Sequence, residues 1–192
     1  MQTKSHLRLR SLTEGAIMVA LAFVLSLIKA IELPQGGSIS FTMLPLLIYA
    51  LRWGTLPGIL VGFVFGVAHM LMDGAVAWGW QSMLLDYLIA FAALGVAGLG
   101  HGKKYGAVWG SILGCFARFV VHFISGVTIY RLASGATGSV FGVETASSFL
   151  YSLLYNGWYM LPSTIICVVA IVLLMKPMGK YIRGEDLQLK KN

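Results

Sequence analysis

Residues 148–175 read SFLYSLLYNGWYMLPSTIICVVAIVLLM, without a single Asp, Glu, Lys or Arg. A run of this kind exceeds the ~20 apolar residues with which a helix crosses the hydrocarbon core of a bilayer. Its backbone groups must be satisfied within the segment, which makes it a helix. Pro162 is expected to kink that helix rather than end it, because neighbouring helices can satisfy the freed carbonyl. Ser152, Asn156 and Ser163 lie on roughly one face of the run, beside a tyrosine series at Tyr151, Tyr155 and Tyr159. A side-chain amide such as Asn156, deep in a span, demands hydrogen-bond partners. Tyr151 and Asn156 are five residues apart, so spacing alone does not bring them into one pocket.

The rest of the chain has the same character. Of 192 residues, 58% are hydrophobic and 11% charged, with a mean hydropathy of +0.82, where a soluble domain has about 25% charged residues. A soluble globule and a disordered chain are both excluded. Outward from the last span, further apolar segments are expected at about Leu12–Ile31, Ile39–Leu51, Gly58–Met72, Ser82–Leu99 and Ala107–Arg131. Ser11 and Glu14 fit a capping box at the start of the first. Polar or Gly/Pro-rich breaks fall at Glu32–Ser38, Arg52–Pro57, Asp73–Gln81, His101–Gly106 and Ala133–Ala146. The expected fold is all-α, one transmembrane domain over 1–192 with six helices in about 12–175, a tail at 1–11 and a polar tail at 176–192. The second segment is too short to span alone, which implies irregular backbone lining a cavity near Glu32–Ser38. Trp78 and Trp80 are interface anchors.

With both tails on one side of the membrane, Lys4, Arg8, Arg10, Arg52, Lys103, Lys104, Lys176, Lys180, Arg183, Lys190 and Lys191 fall together, leaving Lys29, Arg118 and Arg131 of the 14 cations. By the positive-inside rule both termini are cytoplasmic, in a multi-pass protein of the cell membrane. The basic balance is therefore an orientation signal, and no nucleic-acid partner is expected. Met1–Arg10 reads as a cytoplasmic tail before a retained helix, not as a signal peptide.

Cys115 and Cys167 sit in apolar runs with no ligand at a metal-site spacing, so they read as core residues, and no metal or cofactor is expected. Gly58, Gly62 and Gly66 form a small-residue stripe suited to helix packing, as do Ala16 and Ala20, where a partner subunit competes with internal packing as the explanation. His69, alone on its segment, is assigned no role. Three ionisable residues lie well inside spans: Asp86, Arg118 and His122. Each costs about 2.5–3.5 kcal/mol or more at the bilayer centre unless partnered. Arg118, His122, Gly126 and Tyr130 share one helix face, and an Asp86–Arg118 ion pair is the economical arrangement. There is no nucleophile elbow, zinc-protease motif, P-loop or paired carboxylate, so no enzyme is expected. One acid, one Arg, one His, one Asn and several aromatic rings instead suit a small, ring-bearing, polar or cationic ligand.

Ala16-x-x-x-Ala20, Pro34-Gln-Gly-Gly-Ser38, Leu85-Asp-Tyr-Leu88, Arg118-x-x-x-His122-x-x-x-Gly126 and Tyr151-Ser-Leu-Leu-Tyr-Asn156 together resemble the thiamine-specific S component of energy-coupling factor (ECF) transporters, over nearly the whole chain. The resemblance implies a membrane subunit that captures thiamine near the extracellular side for ATP-driven uptake with a transmembrane T subunit and two ATPases. It implies ligand binding by Asp86, Tyr87, Arg118, His122, Gly126, Tyr130, Tyr151 and Asn156, a lid at Pro34, Gln35, Gly36 and Gly37, and a T-subunit contact at Ala16 and Ala20. Some relatives have Glu at the position of Asp86, Trp at Tyr130, Trp near Phe65 and a tryptophan in the lid. Phe65 and Trp78 are therefore candidate ligand contacts here. The alternatives are an S component for another vitamin, such as riboflavin, which is neutral and would not need Asp86, and an ion-coupled secondary transporter using Asp86 as its ion site.

Overall fold

The structure is a computed structural model that describes residues 4–33, 37–72, 79–130, 138–140, 143–145 and 147–187. It is mostly helical. Helix α1 (Lys4–Ser26) leads into a short antiparallel hairpin, β1 (Lys29–Glu32) with β2 (Ser38–Ser40). Helices α2 (Met43–Trp53), α3 (Thr55–Met72) and α4 (Trp80–Gly100) follow. Then come α5 (Gly106–Ser125), a second small hairpin, β3 (Gly138–Val140) with β4 (Val143–Thr145), and α6 (Ser148–Ile182). Among the described residues, five helices are long and apolar enough to cross a membrane; α2, with 11 residues, is shorter.

Burial explains why so short a helix persists. Leu46, Leu47, Ala50 and Leu51 of α2 are almost completely enclosed, because α1, α3, α4 and α6 all pack around it. Gly54, at φ +90°, turns the chain directly from α2 into α3, a conformation open to glycine and strained for other residues. The stripe on α3 packs inside the molecule: a methyl group at Gly62 would lie 2.3 Å from the Phe91 carbonyl oxygen of α4, and one at Gly66 2.5 Å from that of Tyr87. Cys115 and Cys167 are buried free thiols in the same core.

Several boundaries differ from the sequence reading. Helix α1 is already formed at Lys4, so Ser11 and Glu14 do not cap its start. Tertiary partners take them instead: Ser11 Oγ lies 2.8 Å from the Tyr49 hydroxyl, and Glu14 binds Arg10, Arg52 and the Trp53 indole. The helix ends at Ser26 rather than near Ile31, since Lys29–Glu32 pairs with Ser38–Ser40, and α2 begins at Met43 rather than Ile39. Arg52 lies within α2, not in a polar break. Part of the 133–146 segment is the β3–β4 hairpin.

Helix α6 passes through Pro162 and Pro177 and departs from helical φ/ψ at Met178 (φ −122°, ψ 16°), so the break falls beside the second proline. The segment 176–187 is not a loose polar tail. The helix continues to Ile182, and the one-turn 3₁₀ helix Glu185–Leu187 folds back so that Asp186 reaches Arg52 and Arg10 at 2.6 Å. The fully buried Arg52 guanidinium also donates to Glu14 at 2.6 Å and to the Tyr181 carbonyl at 2.6 Å, and lies 3.7 Å from the centre of the Tyr181 ring. A buried cation is tolerated when its charge is matched and its N–H groups are all occupied.

Candidate functional site

At the end of the bundle opposite Arg52, the start of α4, the end of α5, the start of α6 and the β1–β2 hairpin come together. Helix α4 adopts a π-helical turn over Met83–Ile89, and α5 continues as another over Gly126–Tyr130. Single π turns inside α-helices re-aim side chains and occur frequently at functional sites. The first of these two turns carries Asp86 and Tyr87, and the second follows directly on His122 and Ser125.

Asp86 accepts hydrogen bonds from three side chains. Oδ2 takes Ser82 Oγ at 2.6 Å and Ser125 Oγ at 2.7 Å, while Oδ1 faces His122 Nδ1 at 2.9 Å. The other His122 nitrogen, Nε2, lies 3.3 Å from Arg118 Nε. An arginine Nε only donates, so Nε2 is the acceptor, His122 is neutral and its proton sits on Nδ1, pointing at Asp86. The expected Asp86–Arg118 ion pair is therefore replaced by a relay in which His122 stands between the two charges. The Arg118 guanidinium lies 4.0 Å from the centre of the Phe91 ring. Helical spacing explains the geometry: Arg118 and His122 are four apart on α5, and Asp86 faces them from α4.

Asn156 of α6 joins the same region. Its amide nitrogen donates to the Ser152 carbonyl (3.0 Å), Ser152 Oγ (3.1 Å) and the His122 carbonyl (3.4 Å), and its oxygen accepts from the Tyr159 hydroxyl at 3.0 Å. Ser152 Oγ in turn donates to the Phe123 carbonyl at 2.9 Å. The amide thus has the partners that its depth demands. The Tyr159 ring stands edge-on to His122 at 6.4 Å, and Tyr155 lies between Tyr159 and a parallel Tyr151 ring 6.0 Å away. Tyr151 and Asn156 are linked through Tyr155 and Tyr159 rather than by direct contact.

The hairpin covers these tyrosines. The Gly37 amide donates to the Tyr155 hydroxyl at 3.1 Å, and a methyl group at Gly37 would fall 2.7 Å from the Tyr159 ring. Leu33 and Ile39 pack against Tyr159 and Met160. Pro34, Gln35, Gly36 and Trp78 lie outside the described residues, as does the side chain of Tyr130. Tyr87 packs its ring 5.7 Å from His69 of α3. Phe65 is fully buried, edge-on to Phe91 at 4.6 Å. His69 lies in this aromatic layer, 5.4 Å from the Phe65 ring. On α1, Ala16 and Ala20 are exposed on the outside of the bundle.

The sequence reading did not single out Ser82 and Ser125, which hold Asp86. Their signal was helical spacing, since Ser82 is four residues before Asp86 and Ser125 three after His122, each on the face of its partner. Gly126 has a packing role: a methyl group there would lie 2.3 Å from Ser152 Oγ and 3.4 Å from Asn156 Nδ2. Gly126→Ala is expected to displace α6 from α5 at this point and destabilise the fold by about 1–3 kcal/mol. Thermal unfolding of the purified variant measures the loss; an unchanged midpoint would contradict the close approach.

Residues 12–182 match the sequence family described as Thiamine transporter protein (Thia_YuaJ). The chain belongs to the thiamine transporter protein family. It is 31% identical to the thiamine transporter ThiT of Bacillus subtilis strain 168 over 199 residues, covering 96% of this chain and 98% of that one. It is 28% identical to ThiT of Lacticaseibacillus paracasei over 202 residues, covering 95% of each. The fold is similar to a solved structure of ThiT from Listeria monocytogenes, with a TM-score of 0.76 at 24% identity over 91% of this chain and 98% of that one. The family is one of transporters rather than enzymes, and this member, with its five long apolar helices, is a multi-pass protein of the cell membrane.

Proposed function

We propose that this thiamine transporter family member is the thiamine-capture subunit, the S component, of an ECF-type transporter. The observation that carries the reading is the Asp86–His122–Arg118 relay, set beside Asn156 and the α6 tyrosines beneath a hairpin. Thiamine joins a permanently cationic thiazolium to an aminopyrimidine that both donates and accepts hydrogen bonds. Both hydrogen-bond acceptor directions of Asp86 Oδ2 are used by serines, whereas Oδ1 has one left beside His122. That remaining direction supplies an anionic acceptor for the ligand.

His122, neutral in this relay, presents an aromatic face that does not repel a thiazolium, whereas an imidazolium would. In this reading Arg118 holds the His122 tautomer, Asn156, Tyr151, Tyr87 and Tyr130 complete the aromatic and amide surround, and Gly126 lets α6 close in. Phe65 and Trp78 are candidate ligand contacts. Pro34, Gln35, Gly36 and Gly37 serve as the lid.

We further place six helices across the membrane with both termini cytoplasmic and treat 1–192 as one transmembrane domain. Charge distribution supports this orientation, with most cations at the end opposite Asp86. The exposed Ala16 and Ala20 form a flat stripe for the T subunit, through which two ATPases would drive uptake.

Titrating the purified protein with thiamine and with riboflavin, while following tryptophan fluorescence, tests the reading. Saturable quenching by thiamine and none by riboflavin is expected; quenching by riboflavin alone would end it. Thiamine accumulation in proteoliposomes lacking any ATPase would favour an ion-coupled transporter instead.

A further inference from the structure

At the end of the bundle that carries Arg52, the turn between α4 and α5 meets the end of α6 around a cleft of about 480 Å³. Its walls are chemically divided. Lys103 and Lys104 come from the turn and Arg183 from just past the end of α6, whereas Val108, Val172 and Met175 lie within the two helices. The three cations have little compensation: Arg183 pairs with Glu185, while among the described residues neither lysine forms an ion pair. The lysine ammonium groups lie instead 5.2 Å from ring centres, Lys103 over Trp109 and Lys104 over Tyr105.

Trp109 and Val172 are partly exposed on the flank of the bundle, on helices long and apolar enough to cross a membrane. A tryptophan stacked with a lysine beside apolar helix faces marks the level where headgroups meet hydrocarbon. The cleft lies near that level, with its cations on the turn and the helix end and its apolar residues on the helices themselves.

We propose that this cleft is a binding site for an anionic phospholipid, with the phosphate between Lys103 and Lys104 and the start of an acyl chain along Val172 and Met175. A soluble anion would satisfy the cations and leave the apolar wall bare. A zwitterionic lipid would cover the wall but bring its own cation to the lysines. An anionic lipid complements both halves, as basic pockets between transmembrane helices do at the cytoplasmic face. The volume falls within the roughly 300–1,000 Å³ of small-ligand sites, which suits a headgroup and first methylenes, with the rest of the tail lying on α6.

The test uses the full chain in detergent, examined by native mass spectrometry with phosphatidylglycerol or phosphatidylcholine added. One phosphatidylglycerol per chain is expected to be retained, and phosphatidylcholine not. Replacing both lysines (Lys103→Gln with Lys104→Gln) should weaken retention about thirtyfold, since each surface lysine contributes roughly tenfold or less to headgroup attraction. A control pair at the same end but outside the cleft, Lys176→Gln with Lys180→Gln, should leave retention unchanged. Equal retention of both lipids, an unaffected Lys103/Lys104 pair, or equal loss in the control pair would overturn the proposal. Displacement of the lipid by millimolar inorganic phosphate would overturn it too, by showing that a free anion is the occupant.

Discussion

Asp86→Asn is expected to reduce thiamine affinity by about a hundredfold or more while leaving the fold intact enough to purify. The charge balance of the site gives the reason. Asp86 and Arg118 carry opposite charges on either side of a neutral His122, so the unliganded relay is close to neutral before a cation arrives. Removing the carboxylate leaves Arg118 as a cation inside a span without a compensating charge beyond His122. A thiazolium would then enter a positive site.

The amide oxygen introduced by this substitution could still accept from Ser82 and Ser125, which is why folding should survive. Asp86→Glu keeps the charge but adds a methylene, and is expected to lose less, about tenfold, because the longer acid cannot meet both serines and His122 at their present distances. Fluorescence or calorimetric titration of both variants, with thermal unfolding alongside, reads out the two effects. Full affinity in Asp86→Asn would remove Asp86 from the site.

The largest stability effect is expected at the other end. Arg52→Ala should destabilise the protein by about 3–5 kcal/mol, a drop of roughly 10 °C in unfolding temperature for a chain of this size. Arg52 ties α2 to Glu14 of α1 and to Tyr181 and Asp186 beyond the Met178 break of α6. Without it, the Glu14 carboxylate remains in the helix packing with Arg10 and the Trp53 indole as its partners. Most of the loss comes from the Arg52–Glu14 pair, since Asp186 is partly exposed and water screens its contribution. Thiamine affinity should stay within about threefold of wild type, because the relay and this network occupy opposite ends of the bundle. A thermal midpoint that does not move would show that the network is not holding the three helices together.

The spans were legible because the bilayer allows few solutions. An uncharged run such as 148–175 must be a helix, and the ionisable residues remaining inside spans stand out against it. The sequence reading thus pointed to Asp86, Arg118, His122 and Asn156, and the structure places all four together. It paired Asp86 with the wrong partner, since opposite charge is visible in a sequence while a neutral imidazole lying between two charges is not. It treated Ser11 and Glu14 as a helix cap because a local motif competes in sequence with long-range partners, here Tyr49 and Arg52, that only folding supplies. The polar segment 176–187 looked like a tail for the same reason: its anchor, Arg52, lies far away in the chain.

By itself, the sequence determined that the protein is a membrane helical bundle, where its apolar segments lie, and which few polar groups need an explanation. These follow from local composition against a solvent that tolerates no unsatisfied backbone. Only the tertiary structure decided that His122 mediates between Asp86 and Arg118, that Ser82 and Ser125 hold the acid, and that the Gly37 backbone rests on Tyr159. Each of these depends on the relative placement of elements, set by π turns and glycine contacts of a few ångströms, and helical periodicity carries no information on that.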